Sequence, residues 1–170
     1  RLSGEIIQMG AVKVNEKLEI LDTFDVDIKP VYYKKMNKVV SDITGIKTDD
    51  LEEGIPFTEA IEKFRLWCNG EVFVTWGPCD CQMLVDNMHI HNVDSSWLPE
   101  MYDAQEIFDD QVTMEGRQFA LSYAIFYFKI KPFEAHNALN DTLNTVKVLE
   151  KLDFLKGIEA QREYYYANVM

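Results

Sequence analysis

Basic residues are scarce in this chain: 17 Lys and Arg stand against 29 Asp and Glu, a formal net charge of −12 over 170 residues. Tight binding along a nucleic-acid backbone rests on Lys and Arg neutralising phosphates, so the composition excludes a general duplex binder. Cysteine is also sparse. Cys68, Cys79 and Cys81 make an odd count without CxxC spacing, which indicates neither a disulfide framework nor a zinc site. Cys79 and Cys81 read as small packing residues, and a reducing cytoplasm is the natural compartment. No apolar run is long enough to span a bilayer, and Arg1-Leu2-Ser3 does not open a secretory signal. The expectation is a soluble, cytoplasmic protein with no membrane partner. Repeats and low-complexity linkers are missing too, so residues 1–170 read as one domain, able to bury roughly 70% of its unfolded surface.

The 47% hydrophobic content is distributed with clear periodicities. Glu5 to Val14 alternates apolar and polar and faces Glu19 to Lys29 across Asn15-Glu16-Lys17, an antiparallel hairpin that Pro30 ends. A loop follows through Ser41 to Gly45, and Thr48 is expected to cap a short helix over Asp49 to Glu53. Pro56 to Asn69 carries Phe57, Ile61, Phe64, Leu66 and Trp67 at helical spacing, stopped by Gly70. Val72 to Thr75 is a buried strand, broken by Trp76-Gly77-Pro78 before a helix over Asp80 to His91. Trp97 to Asp103 is a loop leading to a short strand. Phe119 to Phe128 is an apolar helix, and Asn137 to Leu155 the last long one. Ile158 to Met170 forms an extra helix or tail after Gly157. His89 and His91 read as structural or surface residues, since an i, i+4 pair would be needed for a metal-binding face. Lys34, Lys35 and Lys38 form the densest basic cluster, either a phosphate contact or a solvated loop.

Two acidic positions and one histidine carry the chemistry. Strand carboxyl ends in α/β sheets are where ligands bind, so Asp80 would stand at the rim of a cleft; a helix-start aspartate favoured by the macrodipole fits equally. His136 and Asp141 lie five apart, about 140° around a helix, and do not share a face. If both serve one site, His136 must lie on the approach loop and Asp141 on the first turns of a helix anchored by Leu139, Leu143, Val146, Val148 and Leu149. Capping or surface roles account for the same residues. Trp76, at a strand end, is either core or a stacking platform for a base.

Four segments in order bear a resemblance to a known family: GEIIQMGAV (Gly4 to Val12), TGI (Thr44 to Ile46), TWGPCD ending at Asp80, and HNALND (His136 to Asp141). From Gly4 to about Leu155 the chain resembles the DnaQ-like DEDDh 3′-to-5′ exonucleases, with the Trp-Gly before Asp80 pointing to the ERI-1-like and KapD-like exoribonuclease branch. The resemblance implies an α/β, ribonuclease H-like exonuclease fold, a central mixed β-sheet flanked by α-helices. It also implies a metal-dependent hydrolase acting on the 3′ ends of single-stranded RNA or DNA. Asp80 and Asp141 would be metal ligands, His136 the proton acceptor, and Trp76 a substrate contact. The expected cofactors are two divalent cations, Mg²⁺ or Mn²⁺, about 4 Å apart. Such cations supply positive charge that the residue count omits.

One departure stands out. The family's first motif, Asp-x-Glu on the first strand, is absent, and Glu5 cannot replace it because Ser3 occupies the partner position. Arg rather than Met at position 1 fits a fragment, and the pair is expected upstream. The alternatives are a catalytically inactive, exonuclease-like interaction protein or a DNA exonuclease of the proofreading type.

Overall fold

The alternation of Gln8-Met9-Gly10-Ala11-Val12 produces the strand β1 (Gln8–Val14), which pairs antiparallel with β2 (Ile20–Asp27). The computed structural model describes residues 4–33 and 36–169, and no side chain beyond residue 168. The hairpin turn is set by Asn15, whose carboxamide oxygen accepts the N–H groups of Lys17 and Glu19 at 2.9 and 3.0 Å. Ile28 N–H donates to the Ile7 carbonyl at 2.8 Å, which fixes the parity of the ladder. Met9, Ala11 and Lys13 therefore exchange hydrogen bonds with β2, while Gln8, Gly10 and Val12 turn their backbone groups away from it.

The second sheet is as small. β3 (Phe73–Thr75) pairs in parallel with β4 (Met101–Asp103), beginning with Phe73 N–H to the Glu100 carbonyl. Among the described residues the strands thus form two separate two-stranded sheets rather than the continuous mixed sheet expected from the sequence. No described strand lies between β1 and β3.

Helices cover both sheets. Between β2 and β3 come α1 (Lys38–Thr44) and α2 (Phe57–Cys68), and α3 (Cys79–Ile90) follows β3. Phe57, Ala60, Ile61 and Phe64 of α2 meet Met9, Ile28, Leu84 and Met88 in one core. After β4 come α4 (Ala104–Phe108), a π-turn over Asp109–Thr113, α5 (Leu121–Tyr127), α6 (Ala138–Leu149) and α7 (Phe154–Val169). Val146 and Leu149 of α6 pack with Val12, Val14 and Val74 in a second core. Phe108, fully buried, is ringed by Trp76, Phe119, Tyr123, Tyr127 and Phe128.

Several sequence expectations are corrected. The segment expected as a loop through Ser41–Gly45 is largely α1, started by the Asn37 side chain on Val39 N–H and closed by Gly45 at φ 74°. Thr48 does not cap: it is the first residue of a 3₁₀ turn in which Asp50 takes the Lys47 N–H, and its hydroxyl accepts from Met36. Leu66 is 73% exposed rather than core, and Val72 precedes its strand. Cys79, expected as a packing residue, is exposed, whereas Cys81 is half-buried and Cys68 is buried. The long last helix breaks at 150–153, where the Gln111 side chain pairs with both backbone groups of Asp153. Gly157 lies inside α7, because a Cβ there would stand 2.6 Å from Ile107 Cγ2; the bare backbone lets the helix press on α4. Lys34, Lys35 and the first three residues lie outside the described residues. Among the described residues no helix is long and apolar enough to cross a membrane.

The packing of α6 on β1 fixes where Asp141 can stand. A Cβ on Gly10 would lie 2.3 Å from Leu139 N and 2.5 Å from Ala138 C, backbone that cannot step aside. Gly10→Ala is therefore expected to destabilise the fold by about 3 kcal/mol, at the upper end of overpacking costs. Urea unfolding measures it; a loss below about 1 kcal/mol would show that α6 is not seated on β1 as described.

Candidate active site

The turn between β3 and α3 aims Asp80. Gly77 sits at φ 83°, a left-handed conformation that suits glycine, and its N–H donates to Asp103 Oδ1 at 2.9 Å. Its carbonyl accepts the Thr75 hydroxyl at 2.8 Å. Asp103 also caps α4 through the N–H groups of Gln105 and Glu106, so one carboxylate ties the end of β4 to the turn that launches Asp80. Trp76 is fixed beside it: its indole N–H donates to the Phe119 carbonyl at 3.0 Å and its ring leans on Phe108 at 5.9 Å. Much of the Trp76 side chain is thus committed to packing, while the rest lines the cavity.

Asp141 arrives from the other side. It lies in the first turn of α6, whose start is capped by the Asn137 side chain on Asn140 N–H at 3.1 Å. Gln8 Oε1 accepts the Ala138 N–H at 3.4 Å, and the Thr142 hydroxyl donates to the Gly10 carbonyl at 3.0 Å. These bonds bring the start of α6 to the start of β1.

His136 sits on the approach loop, as the five-residue spacing required. Its backbone is left-handed at φ 66°, its N–H donates to Asp141 Oδ1 at 3.1 Å, and its side chain is exposed. The loop is pinned behind it by Asn144, a fully buried side chain that accepts the Phe133 N–H at 2.8 Å and donates to the Phe133 carbonyl at 3.2 Å. Lys147 adds a bond to the Lys131 carbonyl at 2.8 Å and lies 4.0 Å from the centre of the Phe133 ring. Sequence reasoning missed Asn144 and Asp103. An asparagine among Leu139, Leu143 and Val146, on the apolar face, was the readable signal for the first.

Asp80, Asp141, His136 and Trp76 line one cavity of about 1830 Å³. Asp80 is exposed to the cleft, yet its carboxyl is pushed above the usual carboxylate range, first by partial desolvation against the cleft wall, then by the negative charge of Asp141. Two carboxylates open to one cleft, one of them pushed up by the other's charge, are oxygen donors of the kind a hard divalent cation takes. Among the described residues no three potential ligands cluster.

An α/β scaffold with paired aspartates at a strand end and a loop histidine beside them defines a candidate nuclease. Known proteins with similar sequences and folds agree. Residues 3–149 match the RNase T family model, described as an exonuclease, and the chain belongs to this exonuclease family. The chain is 26% identical over 166 residues to the "Probable 3′-5′ exonuclease KapD" of Bacillus subtilis, covering 94% of this chain and 76% of that one. It is 31% identical over 71 residues to the PolC-type DNA polymerase III of Lactococcus lactis, 4% of that protein. Among solved structures it resembles the nuclease domain of 3′hExo, described as a DEDDh member bound to rAMP, with a TM-score of 0.78 at 19% identity over 86% of this chain and 80% of that one. Cell-death related nuclease 4 matches at a TM-score of 0.76 and 21% identity, over 86% of this chain and 56% of that one. The fold is therefore the ribonuclease H-like exonuclease fold, and the activity class is hydrolysis at nucleic-acid 3′ ends. The family generally uses divalent metal ions.

The raised Asp80 carboxyl has a sign that can be checked. Its folded pKa exceeds the unfolded value of about 3.9, so the ionised form costs stability at neutral pH, and the cost disappears as pH falls through both values. In metal-free protein Asp80→Asn is expected to raise Tm near pH 7, with the difference closing toward about pH 3. A thermal shift that is unchanged across this range would mean that neither desolvation nor Asp141 opposes the ionisation of Asp80.

Proposed function

We propose that this protein is a cytoplasmic, divalent-cation-dependent 3′-to-5′ exonuclease that removes nucleotides from the 3′ ends of single-stranded RNA or short oligonucleotides. The observation that carries the reading is the convergence of Asp80 and Asp141 beside His136 in one cleft. The preference for RNA over DNA is supported by the structural relatives described with rAMP and with a histone mRNA stem-loop, although Exonuclease X carries DNA at a lower TM-score of 0.62. A net charge of −12 favours substrates gripped by a few terminal nucleotides over long duplexes.

Asp80 and Asp141 would supply carboxylate ligands to two cations, Mg²⁺ or Mn²⁺. When bound, the cations lower the pKa of water and offset charge on the departing 3′ oxygen. The chain's own groups do the rest. His136, carried on a loop whose backbone is tied to Asp141, presents an imidazole to the cleft and accepts the proton of the attacking water. Asn144 keeps the loop in place by holding both backbone groups of Phe133. Trp76, one side locked against Phe108, offers the other as a wall for the terminal base.

The absence of a three-ligand cluster among the described residues favours one competitor, an inactive exonuclease-like interaction protein. The two separate on a pair of variants. His136→Asn, which tolerates the left-handed backbone and keeps the N–H to Asp141, is expected to lower Mn²⁺-dependent turnover of a 5′-labelled RNA by about 10²-fold or more with calorimetric Mn²⁺ binding intact. Asp141→Asn should weaken Mn²⁺ binding itself. Unchanged turnover in the first variant removes His136 from the chemistry, and native Mn²⁺ binding in the second removes Asp141 from the metal site.

A further inference from the structure

The stretch from Gly116 to Phe133 differs from the rest of the chain in charge and in aromatic content. It holds Arg117, Lys129 and Lys131 and no aspartate or glutamate, a net +3 in a chain of −12, so everything else sums to −15. It also holds six rings. Phe119, Tyr123, Tyr127 and Phe128 pack around Phe108, and Phe133 lies against the Lys147 ammonium group. Phe126 is left over: at 81% exposed it is the most open large apolar side chain of the described residues.

The geometry of α5 explains the exposure. Leu121, Ala124, Ile125 and Phe128 turn onto the core around Phe108 and Val148. Ser122 and Phe126, one turn apart, are thereby set on an open face that lines the cavity. The cavity wall continues from α5 through Ile130, Pro132 and Ala135 to His136, so Phe126 and the acidic pair belong to one cleft.

α5 is also fixed to Trp76. The Phe119 carbonyl, just ahead of the helix, accepts the Trp76 indole N–H at 3.0 Å and the Gln105 amide at 2.8 Å. From Ala120 to Phe126 the helix rises about 9 Å. Neighbouring bases in a duplex strand are separated by only about 3.4 Å. A duplex end therefore cannot lay adjacent bases on Trp76 and Phe126 together, whereas an extended single strand can spread them.

Lys129 and Lys131 supply charge beside the ring. Both are exposed where α5 ends, and neither ammonium group has an ion-pair partner among the described residues. Arg117, by contrast, is held by Glu115 at 3.5 Å and by the Phe119 ring. An open ring next to two unpaired cations suits a ligand that offers a flat base and a phosphate at once. A symmetric contact with a second copy of this chain would set the basic patch against itself.

We propose that Phe126, with Lys129 and Lys131, is a second nucleotide platform, which takes an unstacked base upstream of the 3′-terminal nucleotide together with its phosphate and makes the cleft selective for single strands over duplex ends. That the occupant is a substrate strand rests on the proposed nuclease function; the open ring and the unpaired cations do not.

The test needs no turnover. The full chain, in EDTA and at low ionic strength, is titrated with single-stranded hexauridylate, with uridine monophosphate and with a blunt RNA hairpin, and followed by NMR. The Phe126 ring protons are expected to move upfield with the hexamer and to stay in place with the mononucleotide and the hairpin. Phe126→Ala is expected to weaken hexamer binding about fivefold or more and Phe126→Trp to restore it, because a base stacks on any aromatic face. Lys129→Gln combined with Lys131→Gln is expected to flatten the slope of log K against log salt by about 1.4, about 0.7 for each lost phosphate contact. Hexamer binding that moves Trp76 and His136 but leaves the Phe126 ring in place overturns the platform while the nuclease reading stands. No binding of the hexamer, or an equal loss of hexamer and hairpin binding in Phe126→Ala, overturns it as well. Phe126 shifts that grow with protein concentration alone would assign the face to a second copy and also overturn it. A ring shifted by the hexamer in a protein that shows no Mn²⁺-dependent turnover supports the platform and removes the hydrolase.

Discussion

Two negative charges line one cleft of this molecule, held there by elements far apart in the chain. Asp80 is launched from the end of β3 and Asp141 from the start of α6, and each is fixed by its own set of bonds, through Asp103 and Gly77 on one side and Gln8, Gly10 and Thr142 on the other. Partial desolvation and the charge of Asp141 raise the cost of ionising Asp80. A fold that gives up stability in this way would recover it on binding a cation there, and that exchange of roles would link the architecture to the chemistry.

The supporting contacts share a theme: side-chain amides stand in for missing backbone partners. Asn144 holds Phe133, Gln161 holds Asp103, Gln111 holds Asp153, and Asn87 bridges Gly4 and Ile6. Each satisfies backbone groups at a place where regular structure stops, and two of them bear directly on the site. Asn144 steadies the loop that carries His136, and Asn87 positions the run that enters β1 at the acidic end.

Much of this was legible in the residues. The hairpin showed in its alternation, the β3–turn–α3 unit in Val72–Thr75 followed by Gly77-Pro78, and the separation of His136 from Asp141 onto loop and helix in their five-residue spacing. What could not be read depended on contacts between distant segments. The break after Leu149 is imposed by Gln111, and Gly157 continues a helix because Ile107 is pressed against it, neither of which a local pattern contains. α1 carries no buried residue, so no core-facing stripe announced it. For the site, Asp80, Asp141 and His136 were legible as positions, whereas the loop anchors were not, because an amide that bonds backbone leaves no spacing rule.

Whether Asp80 and Asp141 act as one cation site decides the rest. Substoichiometric Mn²⁺ titrated into the protein, observed by NMR, reports proximity through paramagnetic broadening. Resonances of Asp80, Asp141 and the His136 backbone should broaden together and at the lowest Mn²⁺ concentration of any in the spectrum. Earlier broadening at exposed acidic clusters such as Asp49 and Asp50, with Asp80 and Asp141 unaffected, would contradict the assignment.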